Sequence, residues 1–154
     1  MGTRGLTAYA ACKLEGFLLP RIPAIIKLMA KILIIEDDTF LASVLMQELG
    51  KEHEVRRADD GLLALKALKD WTPEMMILDL MMPNMDGFEF LEQVKKNATH
   101  ASIPVLVLTN LGGKEDLARA KAAGALEAIV KVELTPKQVH QRVNDFIAQH
   151  VKKA

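Results

Sequence analysis

Residues 75–90 read MMILDLMMPNMDGFEF. The first four are apolar without interruption, and the run stops at an acid, Asp79. A run so short has strand length, and its uniform apolarity fits a strand buried on both faces. Further on, Phe88, Leu91 and Val94 recur at helical spacing, so a helix is expected over Phe88–Lys96. The stretch therefore reads as strand, loop and helix, with a carboxylate where the strand ends.

The same alternation extends in both directions. Upstream, Lys31–Ile35 (KILII) is a strand-length apolar run, followed by a helix over Thr39–Lys51 with Leu41, Val44, Leu45 and Leu49 on one face. Val55–Ala58 is a weaker strand, and Asp60–Trp71 is a helix with Leu65 and Leu68 on one face. Downstream come a strand over Pro104–Leu108, an alanine-rich helix over Lys114–Ala123 and a strand over Leu126–Val130. In the last helix Thr135 is the cap, Pro136 takes the first position and Gln138 completes a capping box. Val139, Val143, Phe146, Ile147 and Val151 form its apolar stripe. Five strands alternating with five helices predict an α/β fold, a doubly wound five-stranded parallel sheet covered by helices on both faces.

Ligands of such sheets lie beyond the carboxyl ends of the strands. Those ends carry Glu36-Asp37-Asp38, Asp79, Thr109 and Lys131. No glycine-rich turn follows the first strand, which excludes a dinucleotide fingerprint, a P-loop and a flavodoxin-type electron carrier's phosphate cradle. Converging carboxylates repel one another unless a hard divalent ion offsets them, and Mg2+ suits an all-oxygen site that also holds phosphate. Each residue alone has an ordinary explanation, such as solvating a loop or capping a helix. Four strands delivering compatible groups to one edge is what points to a site.

The segments KILIIEDD, MMILDLMMPNMDGFEF, IPVLVLTN and the lysine of AIVK, in this order, resemble bacterial response-regulator receiver domains from Met29 to the C-terminus. That resemblance implies a flavodoxin-like receiver fold of the stand-alone, single-domain type. It assigns Asp79 as the phosphoacceptor, Asp37 as a direct Mg2+ ligand, Glu36 as a ligand acting partly through water, and the Met81 backbone carbonyl as another. Thr109 would be the switch hydroxyl and Lys131 the phosphate-contacting lysine, while Asp38 would cap a helix. Pro83 and Asp86-Gly87 match the turn shaping the loop.

Implied partners are a sensor histidine kinase or histidine phosphotransfer protein and a downstream target protein. A homodimer through the fourth helix, fifth strand and fifth helix is a further expectation. The chain would be a cytoplasmic signalling switch that assists its own phosphorylation and dephosphorylation rather than an enzyme. With no sequence left after the fifth helix for an output domain, it would act through another protein.

Three positions depart from the family pattern. Ala128 stands where an aromatic is common, Val132 follows the lysine in place of proline, and Asn110 replaces a small residue. A non-proline cis bond costs about 2.5–4 kcal/mol, so a trans bond and a rearranged loop are expected at Val132. Output would shift to the Leu111-Gly112-Gly113 loop and the helix after it. A receiver-like interaction module working without phosphorylation is the alternative. A haloacid-dehalogenase-like phosphatase would require a second aspartate where Met81 stands.

The chain has 154 residues, with twenty basic and twenty acidic side chains, so no global field favours nucleic acid. Cys12 is the only cysteine, which rules out an intrachain disulfide. His53, His100, His140 and His150 lack mutual ligand spacing and are expected at the surface. Residues 1–28 are net positive and interrupted by Pro20 and Pro23, with no run near the roughly 20 apolar residues of a membrane helix. They read as an upstream extension or expression remnant, with a partner or anchoring helix over 17–29 as the alternative, and the domain as 29–154.

Overall fold

The computed structural model describes residues 29–151. The expected extension over 1–28, all of its alternative helix but Met29, and Cys12 lie outside the described residues. Ten elements alternate: β1 (Lys31–Ile35), α1 (Thr39–Leu49), β2 (Glu54–Ala58), α2 (Gly61–Asp70), β3 (Met75–Leu78), α3 (Gly87–Lys96), β4 (Val105–Thr109), α4 (Lys114–Ala122), β5 (Glu127–Val130) and α5 (Pro136–His150). A 3-10 turn, Lys131–Glu133, links the last two.

The strands form one parallel sheet in the order β2-β1-β3-β4-β5. The chain leaves β1 toward one edge and returns across it to β3, so the connections change direction at β1 and β3. A cleft opens at such a switch point, beyond the carboxyl ends of the two strands.

Alternate strand residues supply two cores. Leu33, Ile35, Met76, Leu78, Val105 and Val107 pack with residues of α2, α3 and α4. Ile32, Ile34, Met75, Ile77, Leu106 and Leu108 pack with α1 and α5. Each fully buried aliphatic side chain contributes about 1.5–3 kcal/mol, which is why the central strands are so uniformly apolar. The helices differ in grip: α5 buries Val139, Val143, Phe146 and Ile147, whereas α4 buries Ala120 alone.

Local chemistry sets the helix ends. The Asp38 carboxylate accepts the amides of Phe40 and Leu41, as a cap should. The Thr135/Gln138 capping box forms as expected. Helix α1 stops at Leu49, two residues short of the expected end, with Gly50 as its cap. Asp60 and Trp71 turn out to be the two caps of α2 rather than its first and last turns. Trp71 is buried, with the Arg56 guanidinium 4.5 Å from its ring centroid, and its indole N–H has no hydrogen-bond partner among the described residues.

One histidine departs from expectation. His53 is buried, not at the surface: its Nδ1 accepts the Ala30 amide at 3.2 Å, and its Nε2 lies 3.0 Å from Asn144 Oδ1 on α5. The ring ties the start of β1 to α5, and hydrogen bonds on both nitrogens offset the cost of burying it.

Candidate functional site

Sheet register brings the acids together. Ile35 pairs with Leu78, so Glu36 and Asp79 leave adjacent strands side by side. One carboxylate oxygen from each of Glu36, Asp37 and Asp79 lies within 4.8 Å of the others. Thr109 pairs with Val130, which sets Lys131 beside the hydroxyl-bearing strand end. Thr109 itself closes β4 instead of following it, and it is fully buried.

Lys131 fills the cleft from the fifth strand. Its ammonium is 3.0 Å from Asp79 Oδ2 and is also paired with Glu36 Oε2. The peptide bond to Val132 is trans, no cis bonds occurring among the described residues, and the connection is the 3-10 turn. Lys131 therefore reaches both carboxylates without proline, while the Val132 side chain points to solvent.

The other Asp79 oxygen accepts the Leu80 amide at 2.7 Å and sits 3.4 Å from the Met81 amide. Backbone donors thus hold the carboxylate in one orientation. Glu36 Oε1 accepts the Asp38 amide. Asp37 is exposed while Glu36 and Asp79 are buried, so the triad meets solvent through Asp37. The Thr109 hydroxyl oxygen accepts the Leu111 amide at 3.2 Å, coupling it to the loop before α4.

Burial pushes the Glu36 carboxyl above its usual range, and the Lys131 hydrogen bond and charge offset this only in part. Burial alone would lower the Lys131 ammonium, but the Glu36 hydrogen bond and the charges of Asp79 and Glu36 outweigh it, and the net direction is upward. Lys131 therefore stays cationic. The site is a cluster of hard oxygen donors partly neutralised by one fixed ammonium, a donor set that fits a divalent cation such as Mg2+.

The loop after β3 folds back tightly under the acids. The Gly87 amide donates to the Leu80 carbonyl, and Asp86 and Glu89 form a capping box for α3. A Cβ on Gly87 would overlap the Asp79 carbonyl oxygen and lie 2.7 Å from Leu80 Cα, both backbone atoms that cannot swing aside. Gly87→Ala is accordingly expected to cost about 3 kcal/mol. Urea unfolding should show a lower midpoint at unchanged slope, and a wild-type midpoint would refute the packing argument.

Of the strand-end residues singled out from the sequence, Glu36, Asp37, Asp79 and Lys131 meet in this cleft, Thr109 is buried at the end of β4 and Asp38 caps α1. Ala128 is partly buried against the α2–α4 core and Asn110 is exposed. Asp60 and Asn84, joined by a 2.7 Å hydrogen bond from the asparagine amide to the carboxylate, were not singled out as a pair from the sequence, where Asp60 read only as the start of a helix.

A parallel sheet with this strand order and a lysine-spanned acidic cleft at its switch point defines a receiver module of two-component signalling. Residues 32–144 match the response regulator receiver domain profile, and the chain belongs to that family. It is 32% identical over 133 residues to the protein-glutamate methylesterase/protein-glutamine glutaminase of Escherichia coli (strain K12), covering 82% of this chain and 37% of the relative. It is 35% identical over 103 residues to response regulator PleD of Caulobacter vibrioides (strain NA1000 / CB15N), covering 66% and 23%. The chain thus spans less than half the length of these relatives. Among solved structures, Vibrio cholerae chemotaxis protein CheY4 superposes with a TM-score of 0.71 at 30% identity, covering 80% of this chain and 99% of that one. No helix among the described residues is long and apolar enough to cross a membrane.

Proposed function

We propose that Asp79 accepts a phosphoryl group from a phosphohistidine on a sensor kinase or phosphotransfer protein. One observation carries this reading: Glu36, Asp37 and Asp79 converge within 4.8 Å while Lys131 contacts Asp79 itself. An oxygen of the Asp79 carboxylate attacks phosphorus, the P–N bond breaks, and its electron pair returns to the departing imidazole. Glu36, Asp37, Asp79 and the Met81 carbonyl would hold Mg2+, which neutralises charge on the phosphoryl oxygens when bound. Phosphoryl transfer has a loose transition state, so placement and charge stabilisation do most of the catalysis. Lys131 supplies a fixed positive charge beside the reacting oxygen, and the Leu80 amide fixes the carboxylate.

The readout runs through Thr109. Its hydroxyl turns from the Leu111 amide toward a phosphoryl oxygen, releasing the Leu111–Gly113 loop. Helix α4, held in the core through Ala120, is the element most easily displaced, together with β5 and α5. That face serves a downstream protein or a second copy of the chain, in the cytoplasm.

Incubation with acetyl phosphate and Mg2+ should add the mass of one phosphoryl group per chain, and none after chelation with EDTA. Amide exchange over the 111–113 loop and α4 should change in the same sample. No mass gain would favour the phosphorylation-independent interaction module, to which Ala128 and Val132 lend support. Uptake without an exchange change would retain the acceptor and discard the switching face.

A further inference from the structure

Asp60 is a buried acid that phosphoryl chemistry does not use. It sits 6% exposed at the N-terminus of α2, where Oδ1 accepts the Leu63 amide at 2.9 Å. Its second oxygen, Oδ2, is turned away from the helix and accepts the Asn84 side-chain amide at 2.7 Å. The Leu63 and Asn84 donors hold its carboxyl below the usual carboxylate range.

Asn84 lies in the β3–α3 loop with φ of 64°, the only non-glycine residue with positive φ among the described residues. Asparagine tolerates this region better than most residues, but the conformation still requires outside support. Beside it Met85 is buried, and a Cβ on Gly61 would come within 2.8 Å of its Cγ, so α2 and the loop are in close contact. The loop's other end carries Met81, whose amide lies against Asp79 Oδ1. Only Met82 and Pro83 separate Met81 from Asn84. A hydrogen bond from a different element thus pins the segment whose carbonyl the proposed Mg2+ site requires.

We infer that Asp60 and Asn84 are positioning residues for the divalent-cation site, clamping the β3–α3 loop to α2 so that the Met81 carbonyl is presented toward the acids. This rests on the Mg2+ reading given above. Groups that orient metal ligands typically change affinity by about 10–100-fold when removed. Charge and positioning make opposite predictions at Asn84. Asn84→Asp adds a negative charge near a cation site, which by electrostatics alone would tighten binding. It also sets two carboxylates against each other and breaks the clamp, which would weaken binding.

The test is a Mg2+ titration of the full chain, following the Leu80 and Met81 amide resonances well below the unfolding temperature, with circular dichroism to verify folding. Asn84→Gly, which keeps the backbone conformation accessible, is expected to weaken Mg2+ binding about 10-fold. Asn84→Asp should weaken it despite the added charge. The exchanged pair, Asp60→Asn with Asn84→Asp, restores an amide-to-carboxylate bond of reversed polarity and should recover wild-type affinity. Tighter binding by Asn84→Asp, unchanged binding by Asn84→Gly, or failure of the exchanged pair to recover would each overturn the clamp. If wild type binds no Mg2+, or Asp37→Asn leaves binding intact, the metal reading itself fails, which is a separate result.

Discussion

With acetyl phosphate and Mg2+ present, Asp79→Asn should gain no phosphoryl mass while keeping its secondary structure. The substitution preserves shape and removes the nucleophile, because an amide oxygen carries no full charge and its nitrogen lone pair is delocalised. The Leu80 amide can still donate to the side-chain oxygen, and Lys131 keeps Glu36 as a partner. Two unit charges about 4 Å apart repel by roughly 1–4 kcal/mol between water and a protein surface. Removing one of three clustered acids relieves repulsion of that order and offsets the lost contact to Lys131. Stability should therefore stay within about 1 kcal/mol of wild type, read by thermal melting. Continued uptake by Asp79→Asn would move the acceptor elsewhere and end the proposed mechanism.

Lys131→Met separates two roles that the wild-type cleft combines. The ammonium is nearly enclosed and faces two buried carboxylates. Removing a preorganised positive group from a charge-developing site costs about 10²–10³ in rate, and that loss is expected in the initial rate of phosphoryl uptake. Breaking a buried ion pair on one side typically costs about 3–5 kcal/mol, so without divalent cations the variant should unfold markedly more easily. Mg2+ should recover much of this, since it no longer competes with an ammonium for Glu36 and Asp79 and binds only the folded state. Melting with and without Mg2+ tests the second half, and intact-mass time courses test the first. Full-rate uptake, or a melting point insensitive to Mg2+, would contradict the role given to Lys131.

The sheet and the strand-end residues were legible because they follow from local pattern. A central parallel strand is apolar throughout, so the stop at Asp79 marks the carboxyl end of β3, while β5, a partly buried edge strand, is marked by the short apolar run that stops at Lys131. Helix caps at Asp38 and Thr135 were likewise local. What could not be read depended on residues far apart in sequence. His53 looked like a surface residue because its partner Asn144 is 91 positions away. The Asp60–Asn84 bond joins two loops separated by 24 positions, and neither residue type signals the other. The 3-10 turn that lets Lys131 reach the acids without proline is a property of the connection, visible only once β5 and α5 are in place. The site's chemistry was thus a matter of composition at strand ends, and its geometry a matter of tertiary closure.

The caps of α2 have a practical consequence for spectroscopy. Asp60 touches the loop of the cleft, while Trp71, the chain's sole tryptophan, sits at the other end of the same ten-residue helix. Ten helical residues span about 15 Å, so the indole stands well away from the acids. Its emission is expected to report the guanidinium 4.5 Å from its ring centroid and its buried surroundings rather than the contents of the cleft. Intrinsic fluorescence is therefore a gauge of whether this half of the molecule is assembled, and occupancy of the cleft calls for a second dye or nucleus placed near Met81.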